Sequence, residues 1–152
     1  MSATKKEAGR WLRQAENELS AARLLAKRGF AAQACFMAHQ AAEKALKAVA
    51  GFDGQDDLTG HSISDLVSSL QPRHPQLAEH AGSAGHLDRY YTWTRYPSDR
   101  TDAAPFEAYD RRQANEAADA AERIVRTTHA VLKPRRKWWS LPSALFRRLA
   151  RR

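Results

Sequence analysis

His39, Gln40, Glu43, Lys44 and Lys47 fall on one arc when residues 36–49 are wound as a helix, so an imidazole, an amide, a carboxylate and two amines share a narrow strip. Groups of these types can move protons, hold an anion or simply pair with one another. Glu43 and Lys47 lie four residues apart with the acid first, an order that adds about 0.2–0.5 kcal/mol to a solvated helix. A second concentration lies at residues 88–100, where Asp88, Arg95 and Arg100 are interleaved with Tyr90, Tyr91, Trp93 and Tyr96. Such rings suit the stacking of a base, and they equally suit core and interface anchors. Other chemistries find no footing. The 6 histidines are scattered and the cysteine is single, which gives no metal-ligand spacing. Neither a glycine-rich phosphate loop nor a Ser/His/Asp arrangement can be placed. We expect no metal and no resident cofactor.

The elements that must position these groups follow from apolar periodicity. Around the polar strip, Ala34, Cys35, Ala38, Ala41, Ala42, Ala45, Leu46, Ala48 and Val49 cover about half of the helix circumference. A face this wide and this rich in alanine lets several neighbours approach closely, which makes the helix the centre of the expected fold. A first helix runs over about 5–28, with Ala8, Trp11, Leu12, Ala15, Leu19, Ala22 and Ala26 as its stripe and Gly29 as its terminator. The second starts near Phe30 and ends near Ala50, and so short a link makes the two antiparallel neighbours. Ser62-Ile63-Ser64-Asp65 has the form of a capping box, opening a short helix to Leu70. Pro75 opens a fourth, carried by Leu77, Ala81, Ala84, Leu87 and Tyr91. The last spans about 106–132, with Ala114, Ala117, Ala121, Ile124, Thr128 and Leu132 along one side. No segment alternates with period two. The expectation is an all-α, up-and-down bundle of about five helices forming one domain over residues 1–132.

The net charge of +8 divides unevenly. Residues 1–132 hold 17 basic and 17 acidic side chains, whereas residues 133–152 hold 8 basic ones and no acid. The high isoelectric point therefore belongs to a tail and not to the folded body. That tail carries Trp138 and Trp139, and Pro142 can open a short amphipathic helix there. It suits RNA phosphates, an anionic membrane surface or an acidic partner, or it is a flexible, solubilising segment. The single Cys35, and a start without the apolar core of a signal peptide, point to a reducing cytoplasm.

Three segments together carry a family resemblance. The run Gln40-Ala41-Ala42-Glu43-Lys44-Ala45-Leu46-Lys47-Ala48 resembles the signature of HEPN domains. His61 ahead of Leu66 is similar to that family's next landmark. Leu87-Asp88-Arg89-Tyr90-Tyr91-Thr92-Trp93-Thr94-Arg95-Tyr96-Pro97 resembles its third. The resemblance spans about residues 8–132. It implies a helical bundle that pairs into a homodimer, with a polar groove near the dimer axis that binds nucleotide or RNA. It also implies a small nucleotidyltransferase as partner, in a toxin–antitoxin or defence pair.

On that basis Lys47, Arg95 and Arg100 are expected at a phosphate, with His39, Gln40, Glu43 and Asp88 as supporting polar groups. Asp88 would orient Arg95, and His39 would be a surface or supporting histidine. Tyr91 and Tyr96 are placed to stack a base, and His61 to serve the junction between loop and helix. Family members that cut RNA carry a histidine four to six residues after the arginine equivalent to Arg95. Here that window reads Tyr96-Pro97-Ser98-Asp99-Arg100-Thr101-Asp102. Arginine stays protonated, so it can hold a phosphate but cannot serve as a base. The reading is nucleotide or RNA binding with weak or no cleavage. Its rivals are a metal-independent ribonuclease toxin in which Arg95 is catalytic and the base is relocated, and a helical scaffold whose tail docks elsewhere.

Overall fold

The structure is a computed structural model and describes residues 3–55, 59–99 and 101–133. Gly29 and Phe30 alone separate α1 (Ala3–Arg28) from α2 (Ala31–Phe52). Gly29 takes φ of 88°, a left-handed conformation that glycine adopts freely. The Phe30 amide then donates to Leu25 O at 2.9 Å and the Gly29 amide to Ala26 O at 3.3 Å, which closes α1. Pairs across the hairpin, Lys5 over Phe52, Lys47 over Trp11 and Lys44 with Glu18, descend one helix as they climb the other. The helices are antiparallel, as the short link demands. The second helix runs two residues past its expected end, because Gly51 is buried inside it and Gly54, with φ of 81°, is the terminator.

Helix α2 touches α1, α3 (Ile63–Leu70), α4 (Ala81–Asp88), α5 (Tyr90–Trp93) and α6 (Arg111–Leu132). Its alanines Ala34, Ala38, Ala41, Ala42, Ala45 and Ala48 are fully buried. Around them Leu46, Ile63, Leu70, Leu77, Leu87 and Ile124 supply the bulk of the core, each stabilising by about 1.5–3 kcal/mol on burial. Cys35 lies in the same layer, and burial pushes its thiol up to about 12, so it packs as an inert apolar group. Helix α6 runs antiparallel to α1. Arg111 reaches Lys27 O, Arg23 pairs with Asp119 at 2.6 Å and with Glu122, and His129 meets Glu16 at 2.6 Å. The described residues are all-helical, and none of their helices is long and apolar enough to cross a membrane.

Two further boundaries differ from the sequence reading. The fourth helix is three pieces: a 3₁₀ turn at Pro75–His80, then α4, then the single turn α5, joined through Arg89 at helical angles. The last helix begins at Arg111 and not near Phe106. Pro105–Ala108 is a 3₁₀ turn, Tyr109 and Asp110 are extended, and Asp110 caps α6 by accepting from the Gln113 amide at 2.8 Å. The Gln113 side chain returns a bond to the Asp110 amide, a reciprocal box present in the sequence as Asp-x-x-Gln. Helix α6 ends at Leu132. Arg100, and the tail beyond Lys133 with its expected RNA or membrane contacts, lie outside the described residues.

Candidate functional site

Glu43 is the hub of a buried polar cluster. Its residue is 3% exposed, yet three basic groups converge on it. Lys47, one turn on, places Nζ 2.7 Å from Oε1 and also donates to Gly60 O at 3.0 Å. The loop ahead of α3 brings His61, whose Nδ1 stands 3.3 Å from both carboxylate oxygens. His39, one turn back and fully buried, donates from Nδ1 to Leu87 O at 3.1 Å. Its Nε2 lies 3.3 Å from Glu43 Oε2 but out of hydrogen-bond alignment. Burial alone would push the Glu43 carboxyl up. The contacts with His39, Lys47 and His61 overcome it and hold the group at about 2. Glu43 is thus a carboxylate at neutral pH.

Tyr91 joins this cluster to the surface. Its ring stacks on His61 at 4.2 Å between centroids and meets His39 at 5.3 Å. The Arg95 guanidinium lies over the same ring at 4.5 Å, over Phe36 at 4.5 Å and over Tyr96 at 5.0 Å. Arg95 Nε donates to Tyr91 O at 2.6 Å, which fixes the side chain against its own helix end. The residue is exposed and meets no carboxylate among the described residues. An open pocket of about 250 Å³ lies alongside, lined by His61, Ser62, Asp88, Tyr91 and Thr92.

The strip of polar residues on α2 is divided between two neighbours. Gln40 and Lys44 turn to α1, where Lys44 bonds Gln40 and Glu18, each at 2.8 Å. Glu43 and Lys47 turn to the loop ahead of α3. Two expectations are corrected by this geometry, and a third is narrowed. Lys47 does not face outwards beside Arg95, because its charge is spent on Glu43 and Gly60 and it is 6% exposed. Of the two readings of His39, surface or supporting, burial removes the first and leaves the second. Asp88 does not orient Arg95: its carboxylate caps α3, accepting from the Ile63 amide at 2.6 Å and the Ser64 amide at 3.1 Å. Ser62 supplies the other cap, accepting from the Asp65 amide at 3.1 Å as the capping-box reading expects, and Asp88 serves two different amides of the same turn. Among the aromatics, Tyr90 is core and Tyr96 is 56% exposed, with Tyr91 between them in burial. The residue that sequence reasoning undervalued is His61. Its spacing from Glu43, across a loop, gave no periodic signal. No group of three or more His, Cys, Asp or Glu among the described residues is arranged to hold a metal ion.

Known proteins share this arrangement of helices. A protein of Thermus thermophilus, of known crystal structure, is 37% identical and superposes with a TM-score of 0.77 over 81% of this chain and 96% of its own. An archaeal HEPN homologue is 36% identical, with a TM-score of 0.70 over 83% and 98% of the two chains. A HEPN domain protein of Thermotoga maritima is 28% identical, with a TM-score of 0.66 over 83% and 99%. No curated protein matches. The family model of the HEPN domain matches residues 8–131, from the first buried alanine of α1 to the last turn of α6. The chain belongs to the HEPN domain family.

Proposed function

We propose that this HEPN domain binds nucleotides or short RNA at Arg95, and that it works as a homodimer beside a small nucleotidyltransferase in a toxin–antitoxin or defence pair. One observation carries the binding reading. Arg95 is an exposed cation without a carboxylate among the described residues, its guanidinium held within 4.5–5.0 Å of the ring centroids of Phe36, Tyr91 and Tyr96. A guanidinium fixed this way presents its remaining donors to a phosphate with little rotamer freedom left to lose. Tyr96, 56% exposed beside it, offers a face for a base. The homodimer and the nucleotidyltransferase rest on family membership. Because no histidine follows Arg95 within six residues, the Arg95 segment by itself holds RNA without supplying a proton acceptor.

Calorimetry with a dinucleotide in EDTA tests the binding. A ligand this small cannot engage the basic tail and the helical body at many phosphates at once. Replacing Arg95 with Ala should weaken binding by about 1.5–3 kcal/mol, one to two decades. Equal affinity of the two proteins would remove Arg95 from the site.

A further inference from the structure

We propose that the pocket between α6 and the 3₁₀ turn at Pro75–His80 binds a small zwitterion, a free α-amino acid, by its carboxylate and its ammonium together. The pocket is open, has a volume of about 300 Å³ and is lined by Glu79, His80, Ser83, Arg123, Arg126 and Thr127. It shares no lining residue with the pocket beside Arg95, and the proposal is independent of the Arg95 reading. Its two walls carry opposite chemistry. Helix α6 contributes Arg123, Arg126 and Thr127, at the three- and four-residue spacing that places side chains on one face. Arg123 is exposed and meets no carboxylate among the described residues. Arg126 is also exposed and gives one nitrogen, at 3.2 Å, to Glu122, whose other oxygen is held by Arg23. That wall is a bank of donors. The facing wall accepts: Glu79 is a carboxylate 66% exposed, and Ser83 has already given its hydroxyl proton to His80 O at 3.1 Å.

His80, buried at the junction, holds the acid on its own side. Its Nε2 lies 2.8 Å from Thr127 Oγ1 and 3.4 Å from Glu79 Oε1. Burial keeps the imidazole below its usual value, against the pull of Glu79 and with the Arg123 charge adding to the depression. The ring is therefore neutral at neutral pH and adds no third cation. A carboxylate can only accept, so the nitrogen beside it carries the proton. Nε2 then donates to Thr127 Oγ1, and the Thr127 hydroxyl donates on to Glu79 Oε1 at 3.3 Å. Held by this relay, Glu79 does not close on the arginines. No nitrogen of Arg123 or Arg126 comes within 4.0 Å of a Glu79 oxygen. Glu79 Oε2 is left without a partner among the described residues.

Opposite charges thus line one pocket without neutralising each other, and that selects the ligand. A phosphate would meet the two arginines and also the repulsion of Glu79. A simple amine would meet Glu79 and the repulsion of two arginines. An α-amino acid carries both charges on one carbon and suits both walls. Its carboxylate takes the guanidinium donors of Arg123 and Arg126, and its ammonium takes Glu79 Oε2 and the Ser83 hydroxyl oxygen.

Recognition by the two ends does not depend on the ligand's side chain, so L-alanine serves as the probe. The full chain is titrated by NMR at constant pH and ionic strength, following the His80 ring and the Thr127 methyl group. Three controls accompany it: N-acetyl-L-alanine, which lacks the ammonium, ethylamine, which lacks the carboxylate, and inorganic phosphate. L-alanine should shift both signals saturably, and each control should bind at least about tenfold more weakly. Arg123→Gln and Glu79→Gln, both at exposed positions, should each weaken L-alanine about tenfold with helical content unchanged. Glu79→Gln should at the same time strengthen phosphate. Phosphate or N-acetyl-L-alanine binding as tightly as L-alanine would reduce the pocket to an anion site and overturn the proposal. The absence of a saturable shift with L-alanine, or undiminished L-alanine affinity in Glu79→Gln, would overturn it as well.

Discussion

Glu43 and Arg95 carry opposite charges at the two ends of a chain of contacts through His61 and Tyr91, and the fold treats them in opposite ways. Glu43 is buried and compensated by Lys47 and His61, with His39 Nε2 a further 3.3 Å neighbour. Arg95 is exposed, is braced by aromatic rings and one carbonyl, and meets no anion among the described residues. A buried charge is tolerated only when its partners are present, so the first group is tied to stability. A cation held in place without a counter-ion costs the fold little and remains available, which is what the proposed binding role requires of the second. The stacked pair His61–Tyr91 links the two, His61 on the Glu43 side and Tyr91 under Arg95.

The contrast can be broken most forcefully at Glu43. Its replacement by Ala strands Lys47 and His39 in the interior, and urea denaturation should record a loss of about 3–5 kcal/mol. A loss below about 1 kcal/mol would mean that the cluster is not structural. Acid provides a gentler version. The Glu43 carboxyl sits at about 2 in the folded chain against an ordinary value of 4.5. Its contribution is complete above the ordinary value and disappears as pH falls from there towards 2. Stability should drop by on the order of 2 kcal/mol over that window, with a shallower slope in Glu43→Gln. Removing the α3 cap with Asp88→Ala should cost about 1 kcal/mol, within the 0.5–2 range of helix caps. Arg95→Ala should change stability least, by about 0.5 kcal/mol from the lost ring contacts. A cost at Arg95 equal to that at Glu43 would erase the distinction between the two regions.

Some of this was legible in the sequence, for local reasons. The apolar face of α2, the turn at Gly29 and the Ser62 cap are written in residues within a few positions of one another, and the helical periods expose them. Asp88 could not be read the same way, because the amides that it accepts from lie 24 and 25 residues upstream. Lys47 looked available because a helical wheel shows which residues share an arc but not which neighbour covers it. The strip from His39 to Lys47 is wide enough to face two elements, and the structure gives Gln40 and Lys44 to α1 and Glu43 and Lys47 to the loop ahead of α3. The start of α6 at Arg111 is also written locally in the sequence. Asp110 and Gln113 spell a capping box, but the apolar Phe106 ahead of them suggested an earlier beginning.

The claim that Arg95 is a working phosphate contact is tested most directly by the salt dependence of binding. The full-length wild type and Arg95→Ala are titrated with the same short single-stranded RNA at several salt concentrations. One lost phosphate contact should make the logarithmic slope shallower by about 0.7, alongside the loss of affinity, with helical content unchanged. Parallel slopes for the two proteins would contradict the account.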